Sequence, residues 1–173
     1  MKKTGILLLA ILLTFARWGG PALSEKNAQY QSGDFTYVVL EDGTAEITLY
    51  MGGANELSIP QAFDDYAITS IGVAAFNWSE NLSSVTIPEG ITSIGDETFA
   101  GCASLKSVVL PDSVTGIGGA AFFGCEALTS LTLPQGVTSI GQDAFTGCKK
   151  LTLIVVRDSY AEGYAEENGI RYT

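Results

Sequence analysis

Ile68, Ile91, Val114 and Val137 open four successive units that return every 23 residues without a slip. The units read ITSIGVAAFNWSENLSSVTIP, ITSIGDETFAGCASLKSVVLP, VTGIGGAAFFGCEALTSLTLP and VTSIGQDAFTGCKKLTLIVVR. A fixed period of about 20–30 residues marks a solenoid. One such unit cannot bury its apolar side chains by itself, so it orders by sharing them with the coils above and below.

Ile91, Ile94, Phe99, Leu105, Val108 and Leu110 show the apolar rule within a unit. The segment Leu105-x-x-Val108-x-Leu110 has the L-x-x-L-x-L form of a leucine-rich repeat, in which a short strand turns alternate side chains inward. Its counterparts are Leu82, Val85 and Ile87; Leu128, Leu131 and Leu133; and Leu151, Ile154 and Val156, which predicts four parallel strands. Pro88, Pro111 and Pro134 close the strands, because proline cannot donate to a ladder. Gly72, Gly95, Gly118 and Gly141 mark corners where the chain turns without a clashing Cβ. Phe76, Phe99, Phe122 and Phe145 lie on a stretch with room for a turn or two of helix and predict an inward aromatic spine. The expected fold is a leucine-rich-repeat solenoid with 23-residue repeats, a parallel β-sheet on one face and short strands with helical turns on the other.

The ends of such a stack need caps. Phe35 to Leu40 and Ala45 to Tyr50 are β-rich runs around Glu41-Asp42-Gly43-Thr44, which predicts an N-terminal β-hairpin. Glu56 to Ile59 then ends at Pro60 as the repeat strands do, so the hairpin leads into a degenerate first coil. After the last strand, Asp158 or Ser159 can cap a short helix through Asn168, with Gly169 at its end and Ile170 to Tyr172 extended beyond it. The division expected is 1–24 signal peptide, 25–33 flexible terminus, 34–67 N-terminal β cap with the degenerate coil, 68–157 four repeats and 158–173 C-terminal cap.

The signal assignment rests on Lys2 and Lys3, the apolar run Ile6 to Ala16 and the small residues Ala22 and Ser24. That run has 11 residues against the roughly 20 needed to span a bilayer, so no membrane insertion is expected once the signal is removed. Removal takes away Lys2, Lys3 and Arg17, leaving 6 basic and 19 acidic residues, a net charge near −13. Nucleic acid and anionic membranes attract basic surfaces, so neither is an expected partner. Cys102, Cys125 and Cys148 share one repeat position, which Ser79 fills in the first unit. Side chains stacked in register point the same way, which predicts a column of buried free thiols, with one disulfide and a spare thiol as the alternative. The chain has no histidine, and three in-line sulfurs do not form a tetrahedron, so no metal and no cofactor is expected.

On the unit ITSIGDETFAGCASLKSVVLPDS and its copies, the opening DFTYVVLEDGTAEITLY and the closing DSYAEGYAEENGIRY, the chain resembles the BspA-like leucine-rich-repeat proteins over about residues 34–173. The resemblance implies an extracellular, mostly bacterial protein tied to adhesion and host-surface interaction, with no shared active site to carry over. The sequence departs from the larger relatives in having four clear repeats and no sorting signal after Thr173, so release into the medium or attachment through a partner is expected rather than stable surface display.

The residues themselves point to no reaction. Gly-x-Ser-x-Gly, a phosphate loop and histidine nucleophile pairs are missing from the sequence. The acid pairs Asp64-Asp65 and Asp96-Glu97 read as solvated loop positions, and Asp42 with Glu46 is a weak calcium candidate beside the hairpin turn that already explains Asp42. Asn77-Trp78-Ser79 and Asn81-Leu82-Ser83 fit the N-glycosylation pattern by chance. Trp78 stands where the other units have Gly101, Gly124 and Gly147, either as an exposed contact or packed locally against the N-terminal cap. The outward strand positions Ser84, Thr86, Ser107, Val109, Ser130, Thr132, Leu153 and Val155 complete the candidate binding surface. The function expected is a secreted or cell-surface, non-enzymatic module that binds host or microbial surface proteins; the alternative is an assembly subunit that stacks with other repeat proteins.

Overall fold

The computed structural model describes residues 28–173. The signal assignment therefore lies outside the described residues. Strands β1 (Gln29–Ser32), β2 (Phe35–Val39) and β3 (Ala45–Tyr50) form an antiparallel meander, and β3 then starts a parallel stack. That stack runs through β6 (Tyr66–Ile71), β8 (Ser93–Ile94), β10 (Gly116–Ile117) and β12 (Ser139–Ile140). A second face is made of β4 (Glu56–Ser58), β7 (Ser84–Thr86) and β9 (Ser107–Val109), followed by β11 (Ser130–Thr132), β13 (Thr152–Ile154) and β14 (Arg171–Tyr172), two parallel three-stranded sheets in sequence. β5 (Ala62–Phe63) folds back on β6, and α1 (Tyr160–Glu167) closes the C-terminal end.

The segment 25–33, expected as a flexible terminus, contains β1. Gly33 takes a left-handed φ of 58°, which turns the chain back tightly, and Tyr30 stacks on Tyr37 with ring centroids 5.4 Å apart. Only one apolar residue in QYQS faces the cap, too little alternation to read as a strand.

The phenylalanine spine is present. Phe76, Phe99, Phe122 and Phe145 are buried and stack at 5.2, 5.4 and 5.5 Å between successive centroids. Tyr50 extends the column at one end, 5.2 Å from Phe76, and Tyr164 of α1 covers it edge-on at 6.2 Å at the other. Both caps thus continue the repeat's own packing, which removes the open apolar end that a solenoid would otherwise expose.

The phenylalanine-bearing side is a row of turns rather than helix. Ala74, Phe76 and Trp78 donate their N–H groups to Asp96, Thr98 and Ala100 of the next coil, while Asn77 and Ser79 close local turns on Ala74 and Phe76. Alternate donors are spent between coils, so an i→i−4 ladder cannot form. Left-handed residues bracket each turn: Ala74, Glu97, Ala120 and Asp143 at one end (φ 52–58°), Trp78, Gly101, Gly124 and Gly147 at the other (φ 57–89°).

The corner glycines have a different reason from the one expected. Gly95, Gly118 and Gly141 do not have left-handed φ; a Cβ on them would lie 2.7, 2.4 and 2.3 Å from backbone atoms of the preceding coil. Glycine is required there by how closely two coils approach.

Candidate binding surfaces

The strand face carries two outward columns whose positions follow from the pleat. Ser84 and Ser107 align in register, as do Thr86 and Val109, with Ser130 and Thr132 in the next sheet. Thr86, Ser107, Val109, Ser130 and Thr132 are exposed, Val109 at 57%, whereas Ser84 is half-buried.

The last strand departs from expectation. Leu131 pairs with Leu153, not Ile154, so Leu153 is fully buried while Ile154 and Val156 are each 41% exposed. Val155 is half-buried and donates its N–H to Thr173. Leu153 is thus a core residue, and the outward positions of β13 are Thr152 and Ile154. The segment Leu151-Thr152-Leu153-Ile154-Val155-Val156 is apolar on both parities, so its alternation cannot choose a register. Pairing of Thr152 and Leu153 with Arg171 and Tyr172 of β14 holds the observed one.

Trp78 is 70% exposed. Its ring lies over Gly101 of the following coil, where a Cβ would come 2.7 Å from the indole. An open groove of about 350 Å³ adjoins it, between the cap residues Tyr50, Met51 and Gly52 and the turn from Asn77 to Leu82. Sequence reasoning singled out Trp78 but missed the groove, because the cap and the first full turn meet only in three dimensions. It also missed Phe123, 47% exposed on the same row of turns. The available signal was that Phe123 stands where other units have Asn77, Ala100 and Thr146.

The cysteines are free, with Cys102 and Cys125 buried and Cys148 less so. Each thiol donates to a phenylalanine carbonyl of the preceding coil, at 3.1 Å to Phe76, 3.2 Å to Phe99 and 3.0 Å to Phe122. Burial pushes the Cys102 thiol up to about 11, and the neighbouring Cys148 together with burial pushes Cys125 up as well. A thiol held protonated is a poor nucleophile.

Four of the carboxylates singled out from the sequence, Asp42, Glu46, Asp64 and Asp96, are taken up by hydrogen bonds within the fold. Asp42 accepts from the Thr44 N–H and hydroxyl at 2.9 and 2.7 Å, bonds that lower its pKa, and Glu46 accepts from Ser70 at 2.8 Å. Asp64 accepts from Tyr37 at 3.0 Å, and Asp96 from the Gly119 N–H at 2.7 Å. Among the described residues no group of three or more potential ligands is placed to hold a metal ion, and no helix is long and apolar enough to cross a membrane.

The repeat geometry matches a known family. Residues 59–164 match the model described as "BspA type Leucine rich repeat region (6 copies)". The chain belongs to the BspA type leucine-rich repeat family. Among solved structures, this BspA type chain is similar to a leucine-rich repeat protein from Bacteroides capillosus, at 32% identity and TM-score 0.68, covering 75% of this chain and 99% of that one. It shares its fold with the T. pallidum leucine rich repeat protein TpLRR, at 24% identity and TM-score 0.60, covering 73% and 71%. It also resembles the pneumococcal vaccine antigen PcpA, at 26% identity and TM-score 0.56, covering 66% of this chain and 29% of PcpA. No curated protein matches the chain. The BspA type match indicates no enzymatic family.

Proposed function

We propose that this protein is a secreted or cell-surface, non-enzymatic module that binds surface proteins of a host or of neighbouring microbes. The observation that carries the reading is the BspA type repeat stack, with its rigid, outward strand face of Ser107, Val109, Ser130, Thr132 and Ile154. Short side chains on a pre-ordered sheet lose little entropy when a partner docks. The likeness to PcpA, itself a pneumococcal vaccine antigen, supports an exposed location. Three-residue strands about 4.8 Å apart make each three-stranded sheet roughly 10 by 10 Å, well below the roughly 800 Å² per partner of a standard interface, so binding draws on flanking turns or on many copies.

Purified protein titrated against extracellular-matrix proteins, mucins and deglycosylated mucin polypeptide should give saturable binding to at least one protein. Val109→Asp and Thr132→Asp, both at exposed positions, should weaken it about tenfold or more with the melting temperature unchanged. Silence across that panel at high micromolar concentration would sink the reading. The assembly alternative is favoured by one feature: β14 is the terminal strand of its sheet, with an edge available for pairing. Mass rising with concentration in light scattering supports assembly; a strict monomer opposes it.

A further inference from the structure

Trp78 breaks the period at a position where the backbone is exacting. The other units place Gly101, Gly124 and Gly147 there with φ of 73, 70 and 89°, and Trp78 adopts φ 57°. Left-handed backbone is disfavoured for a bulky L-residue, and such outliers cluster at binding sites. Core packing does not account for it, since the side chain is 70% exposed. The bare Cα of Gly101 gives the indole a flat seat, with room that a Cβ 2.7 Å from its Cδ2 would remove. One ring face is thus supported and the rest of the side chain is open to solvent beside the groove.

The turn side of the groove is polar around the indole, with Asn77, Ser79, Glu80 and Asn81, and Tyr50 and Met51 come from the cap. Asn77 contributes an enclosed Oδ1 that has no hydrogen-bond partner. Native structures rarely leave such an atom unpaired, and its amide can turn toward an incoming hydroxyl without breaking a protein hydrogen bond. An electron-rich aromatic face ringed by amide, hydroxyl and carboxylate groups matches a pyranose, whose axial C–H groups stack on the ring while its equatorial hydroxyls meet the rim. The Glu80 carboxylate and the net charge of −10 disfavour uronic and sialic acids, which leaves neutral sugars. A volume of about 350 Å³ lies at the small end of ligand sites, about 300–1,000 Å³, and is far from a protein interface.

We propose that the Trp78 groove binds a neutral β-linked hexopyranose, of the glucose or N-acetylglucosamine type, by stacking one sugar ring on the indole. The site lies off the strand face, and its ligand class goes beyond the protein-binding reading and stands or falls separately from it.

The chain has two tryptophans, so a full-length Trp18→Phe variant leaves Trp78 as the single indole. Titration with cellotriose and with the N-acetylglucosamine trimer should give a saturable change in Trp78 emission, with a dissociation constant on the order of 0.1–1 mM. Galacturonic acid trimer should give none. In calorimetry, Trp78→Gly should weaken binding at least about tenfold without lowering the melting temperature, because glycine is what the other units carry there. Asn77→Ala should weaken binding severalfold while the emission change persists. No response to either neutral trimer up to tens of millimolar, or undiminished binding by Trp78→Gly, would overturn the proposal. A response to deglycosylated mucin polypeptide but to neither trimer would also overturn it, making Trp78 a protein anchor.

Discussion

The middle coils and the end coils obey different rules. Along the stack from β6 to β12 each paired residue from Ser70 onward meets its repeat equivalent, as in the pairing of Ser70 with Ser93, of Ser93 with Gly116 and of Gly116 with Ser139. At the N-terminal end Ala45 pairs with Ile68, 23 residues on, but Leu57 pairs with Val85, 28 on. The first coil has a shorter turn side, and the residues reappear at the next corner as the β5–β6 hairpin. At the C-terminal end Leu131 pairs with Leu153, 22 residues on. A period governs structure only where both neighbours repeat it; where one neighbour is a cap, the cap sets the register.

The sharpest way to break that contrast is to remove a ring from the middle of the spine. Phe122→Ala deletes a fully buried side chain stacked on both sides and should cost about 3–5 kcal/mol in urea denaturation. A loss under about 1 kcal/mol would show that the stack does not hold the coils together.

The end register is tested by a pair of substitutions. Leu153→Ala should cost about 2–5 kcal/mol, whereas Ile154→Ser should fall within about 0.5 kcal/mol of the parent. The reverse ranking would restore the 23-residue register to the last strand.

Two glycines sharpen the comparison further. Gly118→Ala puts a Cβ 2.4 Å from the Asp96 nitrogen and should destabilise by about 1–3 kcal/mol. Gly163→Ala, inside α1 with nothing within 4 Å of the new Cβ, should stabilise by about 0.5–1 kcal/mol. Melting temperatures moving in the same direction for both would contradict the close-approach account of the middle glycines.

Alkaline pH probes one group in the cap and one in the middle. Burial, then the Asp64 hydrogen bond and charge, raise Tyr37 to about 12, and burial raises Cys102 to about 11. Both groups hold their protons more tightly folded than unfolded, where they titrate near 10 and 8.5. Their contribution is complete below the unfolded values and is lost as pH rises through about 9 to 12. Tyr37→Phe should flatten the upper part of that decline in denaturant titrations at pH 9–12; an unchanged slope would remove Tyr37 from the account.

Much of the interior was legible because it recurs. The Phe76–Phe145 spine and the inward strand positions recur in every unit and the thiols in three of the four, so one reading serves several coils. The C-terminal cap was legible for a different reason. Ser159 accepts from the Glu162 N–H at 3.2 Å and Gly169 turns left-handed at φ 64°, both local signals of helix ends. Of the candidate surface, Thr86, Ser107, Val109, Ser130 and Thr132 face solvent as alternation implied, while Leu153 does not. The Trp78 groove was beyond reach because Tyr50 and Met51 lie far from Asn77 and Asn81 along the chain.

By itself the sequence determined the coil, its period and its aromatic axis, since a repeated apolar pattern implies that each unit buries its core against a copy of itself. Only the tertiary structure decided the register of Leu153, the pairing of Gln29–Ser32 and the reason glycine occupies 95, 118 and 141. Those outcomes depend on which backbone lies a few ångströms away, and at the ends of the stack that neighbour is no longer a copy.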